Sequence, residues 1–156
     1  MTIILSIDPA SNKATTSNTG VVLIDNGKLL NHWCLPYGVD GIKKWYEEEF
    51  GKIKCDKVIF EHFEARDNSK AKDNTVLETI AEIQRLIPYA EPFRNGGYKS
   101  DVPDELLKKL GLWEFGKSHH QDVRAAARLA LFYAMRNDLE DFVNGVGKKL
   151  YETLQS

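Results

Sequence analysis

The stretch Thr2-Ile3-Ile4-Leu5-Ser6-Ile7-Asp8-Pro9 decides the fold. Residues 2–7 are a short apolar run rich in isoleucine, the composition of a strand buried on both faces, and the run closes on an acidic side chain followed by proline. Beyond a polar loop at 10–18, Gly20-Val21-Val22-Leu23-Ile24 reads as a second strand. Asp25-Asn26-Gly27-Lys28 supplies the Asn-Gly of a tight hairpin, so Lys28 to Leu35 returns as a third, antiparallel strand. The chain opens as a meander of three strands whose first member ends at Asp8.

Working outward, residues 39–53 place Ile42, Trp45, Tyr46, Phe50 and Ile53 at spacings of three and four with Lys and Glu between them, an amphipathic helix. Val58-Ile59-Phe60 is a second buried strand that ends on an acid, Glu61. A charged loop spans 64–73, and Asn74-Thr75 opens a helix carrying Val76, Ile80, Ile83 and Ile87 on one face until Pro88. Tyr89 to Arg94 is expected as an edge strand because of Pro92, followed by a break at Asn95-Gly96-Gly97. Leu106, Leu107 and Leu110 mark a short helix ending at Gly111. Ser118 with Gln121 forms a capping box before a last helix with Val123, Ala127, Ala130, Leu131 and Ala134 in its apolar stripe. This order predicts one α/β domain over 1–156, a mixed five-stranded sheet flanked by helices.

Composition narrows the class. The 156 residues are 42% hydrophobic and 28% charged, as in a globular chain, and 21 Lys+Arg against 23 Asp+Glu leave a net charge of −2 that does not announce a polyanion binder. Cys34 and Cys55 lack CxxC spacing, which argues against a disulfide framework or a zinc ribbon and for a reducing, cytoplasmic setting. Neither a signal peptide nor a membrane span is expected from the first residues.

Asp8 and Glu61 close two strands of one sheet, and ligands in such folds bind beyond strand ends. Two carboxylates a few ångströms apart are costly to ionise together unless a divalent cation offsets their charge. Mg²⁺, hard and oxygen-seeking, suits them. Asp122 near a helix N-terminus is kept ionised by the helix dipole, and His119 stands three residues before it on the same face. Together these residues suit a metal-assisted hydrolysis of a phosphodiester, with one or two ions. Taken singly, Asp8 is also a turn former, Asp122 also a dipole partner and His119 also a solvated cap. Arg66, Lys70 and Lys72 after Glu61, Arg94 and Lys99 after the last strand, and Lys117, Arg124 and Arg128 around the last helix are candidates for phosphate contacts without base reading. Arg124 and Arg128 read equally as a solvated helix face. Trp33, Trp45 and Trp113 read as core or dimer surface.

Leu5-Ser6-Ile7-Asp8-Pro9-Ala10, Thr19-Gly20-Val21-Val22, Val58-Ile59-Phe60-Glu61 and His119-His120-Gln121-Asp122 with Ala125-Ala126 follow one another in this order. The chain resembles the RuvC-like Holliday junction resolvases of the RNase H-like superfamily, the small phage-encoded branch looking closest. The resemblance spans roughly residues 3–135 and implies an RNase H-like sheet whose first three strands are antiparallel. It implies metal ligation by Asp8, Glu61, His119 and Asp122, Mg²⁺ as cofactor with Mn²⁺ as substitute, and no nucleotide cofactor. It further implies a homodimer cutting four-way and other branched DNA by paired nicks, as a crossover junction endodeoxyribonuclease. Trp45, Leu131, Phe132 and Met135 are expected to supply apolar surface for that dimer. Many relatives have glycine where this chain has Ala10, and their aromatic wedge corresponds to Phe63 here if it is kept. Other readings are a nuclease of the same fold acting on RNA–DNA hybrids or single-stranded ends, and a catalytically silent nucleic-acid-binding protein.

Overall fold

The computed structural model describes residues 2–10, 18–63, 75–115 and 120–155. Strand β1 (Ile3–Asp8) is the centre of a five-stranded sheet in the order β3-β2-β1-β4-β5, with β2 at Thr19–Asp25, β3 at Lys28–Leu35, β4 at Lys57–Glu61 and β5 at Glu91–Phe93. The first three strands are antiparallel neighbours, whereas β4 lies parallel to β1 and β5 parallel to β4. This is the mixed α/β sheet expected from the opening stretch. Asn26 (φ 49°) and Gly27 (φ 89°) both adopt left-handed backbone, as a two-residue type I′ hairpin turn requires. Pro92 sits in the edge strand β5, where an absent N–H leaves no inner ladder broken.

Alternation along the buried strands sends side chains to two cores. Leu5, Ile7, Val21, Leu23, Val58 and Phe60 pack with Ile42 and Trp45 of α1 (Gly38–Glu49) and Ile80 and Ile83 of α2 (Val76–Leu86). On the other face Ile4, Val22, Ile24 and Ile59 pack with residues from α3 (Tyr98–Asp101) through α4 (Asp104–Lys109) and from α5 (His120–Arg136). A strand with apolar neighbours on both sides has no solvent face to mark with polar residues, which is why β1 reads as a continuous apolar run.

Three expectations need correction. The first helix ends at Glu49 and gives way to a 3₁₀ turn at Phe50–Lys52, so Phe50 and Ile53 pack from beyond the helix. Besides the short α3, the helix α6 (Glu140–Gln155) was not anticipated. Its Phe142, Val146 and Leu150 recur every fourth residue and pack into the α5 core, but Gly145 and Gly147 lower its helix propensity by about 1 kcal/mol each relative to alanine. Gly145 is where the β2–β3 hairpin touches down: a Cβ there would stand 2.2 Å from the Asn26 carbonyl oxygen. Third, the apolar surface expected at Trp45, Leu131 and Phe132 is core: these residues are 3%, 2% and 3% exposed, and only Met135 of that set, at 42%, faces outward. Phe132 is covered because its ring packs against Phe93 and Tyr98, at centroid distances of 5.5 and 6.4 Å. No helix among the described residues is long and apolar enough to cross a membrane.

The two glycines of α6 should respond oppositely to alanine. Gly147→Ala meets nothing within 4 Å and is expected to stabilise the fold by about 1 kcal/mol. Gly145→Ala is expected to lower Tm despite the same propensity gain, since overpacking against backbone costs about 1–3 kcal/mol. Thermal melts of both variants check this, and a stabilised Gly145→Ala would mean that α6 does not dock on the hairpin.

Candidate active site

Register brings the acids together. Asp8 pairs with Gly20 across the β1–β2 ladder, and Gly20 with Cys34 on β3. On the other side, β1–β4 pairing runs to Ile7 opposite Phe60, one step short of Asp8 and Glu61, and Glu61 in turn pairs with Phe93 on β5. One row therefore crosses the sheet as Cys34, Gly20, Asp8, Glu61 and Phe93. Asp8 shares the parity of Ile4, and Glu61 that of Ile59, so both carboxylates emerge on the face covered by α5.

The backbone leaving β1 is pinned. The Ala10 N–H donates to Thr19 Oγ1 at 3.1 Å, and Thr79 Oγ1 donates to the Ala10 carbonyl at 2.8 Å, with both threonines fully buried. These bonds tie the chain after Asp8 to β2 and to α2, which fixes where its carboxylate points.

Asp122, in the first turn of α5, arrives over the same row because Gly20 has no side chain. A Cβ at Gly20 would stand 2.1 Å from the Asp122 carbonyl oxygen, so the helix start rests directly on β2 beside Asp8. Burial holds the Asp8 carboxyl well above the ordinary aspartate range, and a hydrogen bond with Glu61, the Glu61 charge and the Asp122 charge push it the same way. The three acids thus share one electrostatic site.

Glu61 has a second partner that sequence reasoning missed. Asn95 Nδ2 donates to Glu61 Oε1 in a short hydrogen bond. Beside it, the Tyr98 hydroxyl has its pKa raised by burial first and then by the charges of Glu61 and Asp8, while hydrogen bonding from the Asn95 side chain pulls it the other way. In sequence, Asn95-Gly96-Gly97 reads only as a break; nothing local marks Asn95 as a partner of an acid on β4.

The remaining candidates distribute as follows. His119, Arg66, Lys70, Lys72 and Lys117 lie outside the described residues. Phe63 packs half-buried against the α1–α2 core. Arg94 and Lys99 are exposed close to the Asn95 turn. Arg124 lies 3.7 Å over the Trp113 ring, and its Nε donates to the Trp113 carbonyl. Arg128 is neither a solvated face nor open to phosphate: it is 6% exposed and donates to the Val102 carbonyl and to Asp104. Trp45 belongs to the core, with Trp33 edge-on to it at 5.6 Å.

Oxygen-only donors, two of them adjacent carboxylates that repel each other, suit a hard divalent cation. Asp8, Glu61 and Asp122 are the residues that would hold it. Among the described residues no three His, Cys, Asp and Glu side chains close into a ready-made cation cage, so the fit is that of a carboxylate pair with a third acid in electrostatic reach.

No protein-family model matches the chain, and no curated protein matches it in sequence. Solved structures do share its fold. Thermus thermophilus RuvC in complex with a Holliday junction substrate superposes with a TM-score of 0.67 at 14% identity, covering 90% of this chain and 98% of that one. A second Thermus thermophilus RuvC structure gives 0.64 at 14% identity over 88% and 96%. The RuvC-type, RNase H-like sheet is the fold of this protein; at such identity the likeness speaks for fold alone.

Burying Asp8 beside Glu61 costs stability when no cation is present. With its pKa raised in the folded state, Asp8 supports folding while it stays protonated, and that support is lost as pH rises through the raised pKa. In EDTA at mildly alkaline pH, Asp8→Asn is therefore expected to raise Tm, by about 2–4 °C for each kcal/mol relieved in a domain of this size. Scanning calorimetry checks it; a lower Tm for Asp8→Asn would mean that the carboxylate is not under that strain.

Proposed function

We propose that this chain is a Mg²⁺-dependent, structure-selective endodeoxyribonuclease that resolves four-way DNA junctions by paired nicks. The observation that carries the reading is the Asp8–Glu61 pair at the exits of two adjacent parallel strands, with Asp122 of α5 set over it. Its support from the comparisons is that a RuvC of the same fold was solved with a Holliday junction substrate.

In this reading Asp8, Glu61 and Asp122 hold the cation, with His119 as a further ligand. The ion, when bound, supplies Lewis-acid stabilisation of the phosphodiester under attack. The chain's own part is to keep these oxygens converged in a partly dry pocket: the Ala10 bonds fix Asp8, Gly20 lets Asp122 approach, and Asn95 turns Glu61. Exposed Arg94 and Lys99 near the Asn95 turn are the described candidates for phosphate contacts, which add salt-dependent affinity without base reading. A homodimer matches the two-fold symmetry of a four-way junction, one site facing each exchanging strand.

The test is cleavage of four-way, three-way, flap and RNA–DNA hybrid substrates in Mg²⁺, in Mn²⁺ and in EDTA. Paired nicks on the four-way junction are expected with either ion and none in EDTA. Asp8→Asn, Glu61→Gln and Asp122→Asn should each lower the rate by at least about two orders of magnitude while junction binding persists, because binding belongs to phosphate contacts. Wild-type cleavage by any one variant removes that residue from the site, preferential cutting of the hybrid replaces the substrate assignment, and the absence of cutting with both ions refutes the enzyme.

A further inference from the structure

The Asn95 turn is built as a unit. The Tyr98 N–H donates to the Asn95 carbonyl at 3.0 Å, and Gly97 at the third position has φ 84° and ψ 1°. These are the features of a type II turn, which needs glycine where the backbone turns left-handed. Closing the turn sets Tyr98 back beside Asn95, whose side chain acts on the Tyr98 hydroxyl. The Tyr98 ring is in turn seated on α5, 5.7 Å from the Arg128 guanidinium and 6.4 Å from the Phe132 ring. Arg128 is itself fixed by the Val102 carbonyl and Asp104. A chain of contacts therefore runs from the buried helix to one oxygen of Glu61.

That commitment has a chemical consequence. An amide N–H can only donate, and an ionised carboxylate can only accept, so the Asn95–Glu61 bond holds Oε1 and leaves Oε2 as the oxygen Asn95 does not hold, open to a cation in place of the Asp8 carboxyl. Small octahedral ions such as Mg²⁺ and Mn²⁺ are satisfied by single carboxylate oxygens and water. Ca²⁺, with six to eight ligands, gains from carboxylates that offer both. We propose that Asn95, braced by Tyr98, is a positioning residue that sets the cation selectivity of the site by holding Glu61 to a single available oxygen. This rests on the reading of Asp8, Glu61 and Asp122 as a cation site.

Isothermal titration of the whole protein with Mn²⁺ alone and with Ca²⁺ alone, in the absence of DNA, tests it without any cleavage assay. Asn95→Ala is expected to weaken Mn²⁺ binding about ten-fold, as loss of a ligand's supporting hydrogen bond typically does. Ca²⁺ binding should fall less or strengthen, so the Mn²⁺-to-Ca²⁺ preference drops. Tyr98→Phe, which keeps the ring and the turn, should move the preference in the same direction by a smaller factor, and it carries the test if Asn95→Ala does not fold. An unchanged preference in the folded variants, whether both affinities hold or both fall equally, overturns the assignment of selectivity. If Glu61→Gln still loses Mn²⁺ in that case, the cation site stands without it. Wild-type protein that binds no Mn²⁺, or Glu61→Gln that binds it undiminished, overturns both.

Discussion

Two carboxylates forced side by side at the end of β1 and β4 are the constraint around which the rest of this molecule is arranged. In-register parallel pairing of two strands with buried centres leaves Asp8 and Glu61 no freedom to separate at their half-buried ends, and the packing around Asp8 disfavours its charge. The repulsion shows in the raised pKa of Asp8 and is eased at Glu61 by the Asn95 amide, and a cation would absorb it more fully. A fold that keeps such a pair at the rim of its apolar core gives up stability at that point, which is how sites prepared for charged ligands differ from ordinary core.

Helix α5 is what turns a pair into a site. Its start rests on Gly20, which sets Asp122 beside Asp8, while ten residues further along Phe132 meets the ring of Tyr98. With a rise of 1.5 Å per residue these two contacts lie about 15 Å apart on one rigid rod. The same rod is buried almost all round, between the sheet on one side and α3, α4 and α6 on the other. A helix so enclosed cannot shift without opening the core it packs in, so Asp122 and the support for Glu61 keep their places together.

How much of this was legible in the sequence follows from the range of each interaction. Strands β1 to β4 and helices α2 and α5 could be read because apolar period and turn chemistry are local, and Asp8 and Glu61 could be read because each sits at the end of such a run. Asp122 was legible as a helix-start acid, but its approach to Asp8 depends on the missing side chain at Gly20, a contact over about a hundred residues of chain. Helix α6 was hidden by Gly145 and Gly147, one of which is there for a hairpin far away in sequence. Arg128 was misread for a similar reason: i, i+4 spacing with Arg124 looks like solvated surface until α3 and α4 cover it. Asn95 was illegible altogether, since its partner is chosen by β4–β5 register.

The arrangement also bears on how a chain of net charge −2 could take the polyanionic substrate proposed above. Several basic side chains are spent on the fold itself: Arg128 on the Val102 carbonyl and Asp104, Lys149 on the Leu110 carbonyl, Arg136 on Asp101 at 3.0 Å, and Arg124 on Trp113. Total charge therefore says little about the field near the strand ends, where Arg94 and Lys99 stand exposed beside the turn that holds Glu61. Among the described residues these two cations are the ones that could each add a salt-dependent phosphate contact beside the acids, under the function proposed above.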